Sequence, residues 1–228
     1  MDSRRAEAFS DGVFAVAITV LVFNLLTIGS HGLTSRPYHL LLNAWPSYFA
    51  YVVSFLTIGI MWMNHHTMFA HMTKVNRLVL VLNLFLLMGV IAIPFPTALV
   101  AEQLKAMSAA VGPADIAAAT AGGRAATVAY GIVMIAISIG YAAMWLYLAA
   151  HQEALGAVRR IRTPRASNLR FTAGLVGYIA GTLVAAFASA VAALAIYGLL
   201  AVYYLFEHLP DPSGEADEDS AGIGRSLI

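Results

Sequence analysis

The 228-residue chain has no cysteine, so disulfides, thiolate nucleophiles and cysteine-ligated metals are all excluded. Charge is scarce too: 11% of residues are Asp, Glu, Lys or Arg, against about 25% in soluble domains. The net charge of +1 offers no basic field for nucleic acid. Acids are almost missing from the apolar runs and no nucleophile sits beside a base, so an enzyme working inside the membrane is not expected. Nor is a cleavable signal, because Asp2, Glu7 and Asp11 interrupt the basic start and no small-x-small site follows.

What the chain has in excess is apolar surface: 60% of residues are hydrophobic, gathered in runs of membrane length. The runs predict six membrane helices at approximately 9–28, 45–70, 78–100, 126–150, 170–187 and 188–206, which makes residues 1–207 one all-α membrane domain. The last two come from a single run too long for one span, divided near 186–189 as a helical hairpin. With six spans, ten of the 13 Lys and Arg residues fall on the side of both termini and three on the other. That bias predicts cytoplasmic termini. Residues 101–124 are expected to form a partly helical external loop, and the acidic segment 208–228 a disordered cytoplasmic tail.

The first run opens on Arg5-Ala-Glu-Ala-Phe9-Ser10-Asp11. A charged side chain at the centre of a membrane helix costs roughly 2.5–3.5 kcal/mol even on lenient scales. Asp11 therefore belongs at a mouth and needs a partner, water or a capping role, and simple capping by Ser10 or Asp11 is one reading. Further along, Val16, Thr19, Val20 and Phe23 share one helical face, at offsets of three, four and seven from the first. Periodicity alone leaves that face open to ordinary helix packing or to lining a pore, with Thr19 bonding back to a carbonyl one turn earlier in the first case.

Arg-x-x-x-Phe-Ser-Asp entering an apolar helix with a Thr, together with Trp62-Met63-Asn64-His65-His66 in the second run, resembles the transmembrane protein 175 family of potassium channels. The likeness is to bacterial members, which carry a single six-helix repeat. It implies a homotetramer in a bacterial plasma membrane, in which four first helices line a potassium path. Val16 then stands at an apolar constriction, Thr19 at a hydroxyl layer and Phe23 at a second apolar ring, with Val20 beside them. Potassium is the permeant ion, lipid the surroundings, and no cofactor is expected. Such a ring excludes water, and favours potassium modestly because potassium holds its hydration shell less tightly than sodium does. The resemblance also implies a network of Arg5, Phe9, Ser10 and Asp11 with Trp62, Asn64, His65 and His66 that braces the pore helix. His65 or His66 is a candidate for pH sensitivity, since histidine titrates near physiological pH.

Competing readings rest on single features. His65, His66 and His71 are spaced by one, five and six, unlike a same-face metal pair on a helix. Leu175-Val176-Gly177-Tyr178-Ile179 looks like part of a Thr-Val-Gly-Tyr-Gly filter but sits inside a continuous apolar run, so packing through Gly177 and Gly181 is expected. The alternative function is a proton-coupled secondary transporter using Asp11 and His65 or His66.

Overall fold

A computed structural model describes residues 2–26, 44–157 and 164–206, the side chains of residues 24, 164–171 and 206 excepted. These residues form helices α1 (Ser3–Val20), α2 (Phe23–Leu26), α3 (Trp45–Ala70), α4 (Arg77–Ala92), α5 (Pro94–Ala109), α6 (Pro113–Ala150), α7 (Pro164–Phe187) and α8 (Ala190–Phe206). The expected tail at 208–228 lies outside the described residues. By length and composition, Trp45–Ala70, Arg77–Ala109 and Pro113–Ala150 are able to cross a membrane, and shorter apolar stretches follow at Thr172–Phe187 and Ala190–Leu205.

Prolines punctuate these helices where a missing amide is harmless or useful. Pro113 opens α6 directly after Gly112, where the first amides have no helical acceptor anyway. Pro94 and Pro96 fall inside a long run instead, and the hydrogen bonding breaks at Ile93 between α4 and α5. Thr97 repairs part of the break: its amide and its hydroxyl both donate to the Ile93 carbonyl, at 3.2 and 2.9 Å. Helix then continues to Ala109 and resumes at Pro113, so the segment expected as an external loop is mostly helical. At 1.5 Å per residue, the 38 residues of α6 extend about 57 Å, well beyond a hydrocarbon core of about 30 Å.

At the other end of the bundle three connections clasp one another. Ser3 donates its amide to the Thr73 carbonyl (3.2 Å), and the Thr73 and Lys74 amides donate to that of Leu155 (3.2 and 3.1 Å). Gly156 adopts φ +59°, and its carbonyl accepts from the Thr73 hydroxyl at 3.0 Å. A side chain there would be strained and would meet Thr73 Oγ1. This clasp fixes the start of α1 and the ends of α3 and α6 together on one side of the bundle, the N-terminal side.

Lipid tails are as apolar as leucine, so these helices associate by close packing and hydrogen bonds and not by escape from water. On α7, a methyl added at Gly174, Gly177 or Gly181 would meet Tyr204, Leu200 or Tyr197 of α8 respectively. The Gly177 and Gly181 pair is thus a groove for a neighbouring helix, and the filter-like stretch around it is ordinary helix. Between α4 and α6 the same device runs in both directions: Gly89 receives Ile137, and Gly140 receives Leu86.

Candidate functional site

Helix α1 is two-sided. Ser3, Ala6, Ser10, Phe14 and Ala17, followed by Leu21, recur at steps of three and four and are buried on the side packed against α3 and α4. Ser10 joins that interface through a directed chain. The Asn83 amide nitrogen donates to Ser10 Oγ at 2.9 Å, and Ser10 Oγ donates to the Ala6 carbonyl at 2.9 Å. The Asn83 oxygen is left to accept from His65 Nε2 at 2.8 Å, so the network selects the Nε2–H tautomer. His65 is fully buried, with its ring 5.4 Å from that of Phe14 and stacked 4.4 Å from that of Phe69. Its Nδ1 has no hydrogen-bond partner among the described residues.

Two outer rungs flank this inner layer. Trp62 Nε1 donates to Asp11 Oδ1 at 2.8 Å, and His66 Nδ1 lies 2.7 Å from Glu7 Oε1. Glu7 and Asp11 are one turn apart on α1, Trp62 and His66 one turn apart on α3, and the antiparallel helices pair them crosswise. The Trp62 and His66 rings stack at 6.1 Å, which rigidifies the two donors together.

The opposite face of α1 carries no partner among the described residues of the subunit. Phe9, Val16 and Phe23 are 56%, 48% and 60% exposed, each seven residues from the next. Gly12 and Thr19 lie exposed between them, which completes a three-and-four repeat along one stripe. Thr19 Oγ1 donates back to the Val16 carbonyl at 2.9 Å. Just beyond, the α pattern gives way: the Val22 amide donates to the Thr19 carbonyl and that of Leu25 to Val22, both three residues back (3.2 and 2.9 Å).

The expected brace needs several corrections. Phe9 is not in it but on the open stripe, because it lies one heptad before Val16. Arg5 is exposed and makes no bond to Asp11, since six residues on a helix bring two side chains to different faces. Asn64 faces away from α1 and lines a cavity with residues of α6, α7 and α8. Val20 is only half-exposed and flanks the stripe. The three histidines occupy separate surroundings: His65 in the inner layer, His66 on Glu7, and His71 with Nδ1 2.7 Å from the Thr67 carbonyl and its ring edge-on to Trp145. Among the described residues, no hydrogen bond joins Asp11 to a histidine. Sequence reasoning missed Asn83 and Glu7. A lone Asn in Leu80-Val-Leu-Asn83-Leu-Phe was the available signal, since an amide inside a membrane run must find a partner.

Residues 5–94, which contain both the brace and the stripe, match the family model described as endosomal/lysosomal potassium channel TMEM175. A potassium channel of Streptomyces collinus is 42% identical over 215 residues, covering 94% of this chain and 97% of that one. The chain belongs to the TMEM175 family. A second family relative, a potassium channel of Chamaesiphon minutus, is 36% identical over 159 residues, or 68% of this chain and 70% of the relative. The crystal structure of a lysosomal potassium-selective channel TMEM175 homolog from Chamaesiphon minutus superimposes with a TM-score of 0.68 at 31% identity, over 89% of this chain and 96% of that one. Family membership and the apolar helices together make this a membrane protein.

Proposed function

We propose that the chain is one subunit of a potassium-permeable channel, and that four copies line the conduction path with the open stripe of α1. The observation that carries this is the stripe itself. Phe9, Gly12, Val16, Thr19 and Phe23 lie exposed with no packing partner among the described residues, while the opposite face is fastened by the Ser10, Asn83 and His65 network. One narrow face cannot enclose a pore alone, so several copies must surround it; four is the number that the family likeness brings. Matched relatives named as potassium channels support the choice of ion. In this reading Val16 forms an apolar constriction, Thr19 a hydroxyl layer above it and Phe23 a further ring. The brace keeps each α1 in register so that the rings align. The Lys and Arg bias supports cytoplasmic termini, and the family likeness supports a bacterial membrane. The path has no carbonyl filter, and selection comes from the cost of stripping water at an apolar ring.

Planar-bilayer recording of purified protein under opposed potassium and sodium gradients tests this reading. The wild type should reverse towards the potassium equilibrium potential, and Val16→Asn should move the reversal towards sodium. An unchanged ion preference in Val16→Asn would remove Val16 as the constriction. Proton-coupled solute uptake without ionic current would favour the transporter.

A further inference from the structure

Behind α3, on the side turned away from α1, a cavity of about 70 Å³ lies between α3, α6, α7 and α8. Thr57, Ile60, Ile137 and Tyr178 close one end and are buried. Asn64, Ala201 and Tyr204 line the other end and are only half-buried, so among the described residues the cover thins towards the N-terminal side. Asn64 comes six residues before the end of α3 at Ala70, about 9 Å along the helix. That places its amide near the edge of a hydrocarbon core whose half-thickness is about 15 Å, the depth at which the polar head of an amphiphile meets its apolar body.

Polarity in this cavity is one-ended. Thr57, Ser138 and Tyr141 have each spent their one hydroxyl hydrogen on a backbone carbonyl, those of Val53, Met134 and Met61, at 2.8, 2.9 and 2.6 Å. A water beside them would find a lone pair but no donor, short of the three or so partners that a buried water needs. Between them the walls are apolar, with Ile60, Ile137 and Ala201. Asn64 differs: its amide makes no side-chain hydrogen bond to another described residue, and it keeps two N–H donors and a carbonyl acceptor. Gly174 leaves room for the Tyr204 hydroxyl at the same end, since a Cβ there would meet it. No charged side chain lines the cavity among the described residues, so a carboxylate or ammonium would be desolvated with no counter-charge.

We propose that this cavity binds one small neutral amphiphile from the bilayer, with an alcohol or carboxamide head on the Asn64 amide and a short apolar body between Ile60, Ile137 and Ala201. Such a head both donates and accepts, which matches the two kinds of group on Asn64. The apolar body takes the part of the cavity that serves water poorly. The site lies apart from the α1 stripe and does not depend on what that stripe lines. It does bear on the brace, because Asn64 adjoins His65 and Met61 lies one turn before it. An occupant therefore presses on the back of the helix whose front holds α1.

The probe is 3-azibutanol, a butanol carrying a photoreactive diazirine on its third carbon. Purified protein in liposomes is irradiated with increasing amounts of it, and the labelled peptides are read by mass spectrometry. Labelling of the α3 and α8 peptides that contain Asn64 and Ala201 should saturate. Excess butanol or butyramide should displace the probe, whereas butyrate and butylammonium at neutral pH should not. Ala201→Leu fills the cavity and leaves Asn64 in place, and it should reduce labelling of these peptides about tenfold or more. Asn64→Leu removes the head's partner and should raise the half-saturating concentration roughly tenfold, the equivalent of one hydrogen bond. If either variant does not fold, the displacement series in the wild type decides alone. Labelling that rises in proportion to probe without saturating, as for plain partition into lipid, would overturn the proposal. So would equal displacement by butyrate, or undiminished labelling in folded Ala201→Leu.

Discussion

Removing Asn83 should release α1 from the bundle. The residue is 2% exposed, and its two amide atoms sit 2.8 Å from His65 Nε2 and 2.9 Å from Ser10 Oγ. In Asn83→Ala, the His65 Nε2–H loses its acceptor, while Nδ1, the ring's own acceptor, already has no donor among the described residues. Ser10 keeps its bond to Ala6 but loses the donor that ties it to α4. An orphaned buried polar group costs about 1–3 kcal/mol, and the space vacated adds a cavity cost of about 1 kcal/mol or more. The expected destabilisation is about 2–4 kcal/mol, towards the upper range for a single substitution. Ser10→Ala strands only the Asn83 N–H and should cost about 1–3 kcal/mol. Since both substitutions remove the same bond, the double variant should fall short of their sum by about 1–2 kcal/mol. Equilibrium unfolding in mixed micelles, followed by tryptophan emission, reads this directly, because Trp62 touches Asp11 on α1. Additivity within about 0.3 kcal/mol, or a loss below about 1 kcal/mol for Asn83→Ala, would refute the bridging role.

Other substitutions probe the remaining features. Asp11→Asn keeps an acceptor for Trp62 Nε1 and should change stability by less than Asp11→Ala or Trp62→Phe, each expected to cost about 1–2 kcal/mol in the same unfolding assay; equal losses for Asn and Ala would mean that the charge itself is needed. Gly12→Ala places a methyl where the subunit offers nothing within 4 Å; it should leave the fold intact or raise helix stability by up to about 1 kcal/mol, while bilayer recordings show reduced single-channel conductance. Gly131→Ala forces apart the Thr182 and Tyr197 hydroxyls and should lower stability by about 1–3 kcal/mol, whereas Gly198→Ala, in open space, should be close to neutral by the same measurement.

The apolar runs and the amphipathic spacing of α1 were legible without coordinates, because membrane length and helical period are properties of consecutive residues. The motif Arg5 to Asp11 likewise marked where polar groups enter the membrane. Its partners were not legible. Asn83 is 73 residues from Ser10, and nothing local distinguishes an amide that meets a serine from one that faces lipid. Asn64 and His65 are neighbours in the chain, yet about 100° of helical rotation between adjacent residues sends one to a cavity and the other into the brace.

Phe9 shows the same division. The sequence alone determined that it stands one heptad before Val16, since that needs only the helical period. Only the packing of α1 on α3 and α4 decided that this stripe is open and the Ser10 face closed, because a helix has several faces and the choice depends on which neighbours fit. The buried hydroxyl pairs lie wholly on the tertiary side: Ser54 meets Thr97 and Thr182 meets Tyr197, each across two helices. Hydrogen bonds act over about 3 Å, so their meeting is written in the way the helices cross and not in the order of the residues.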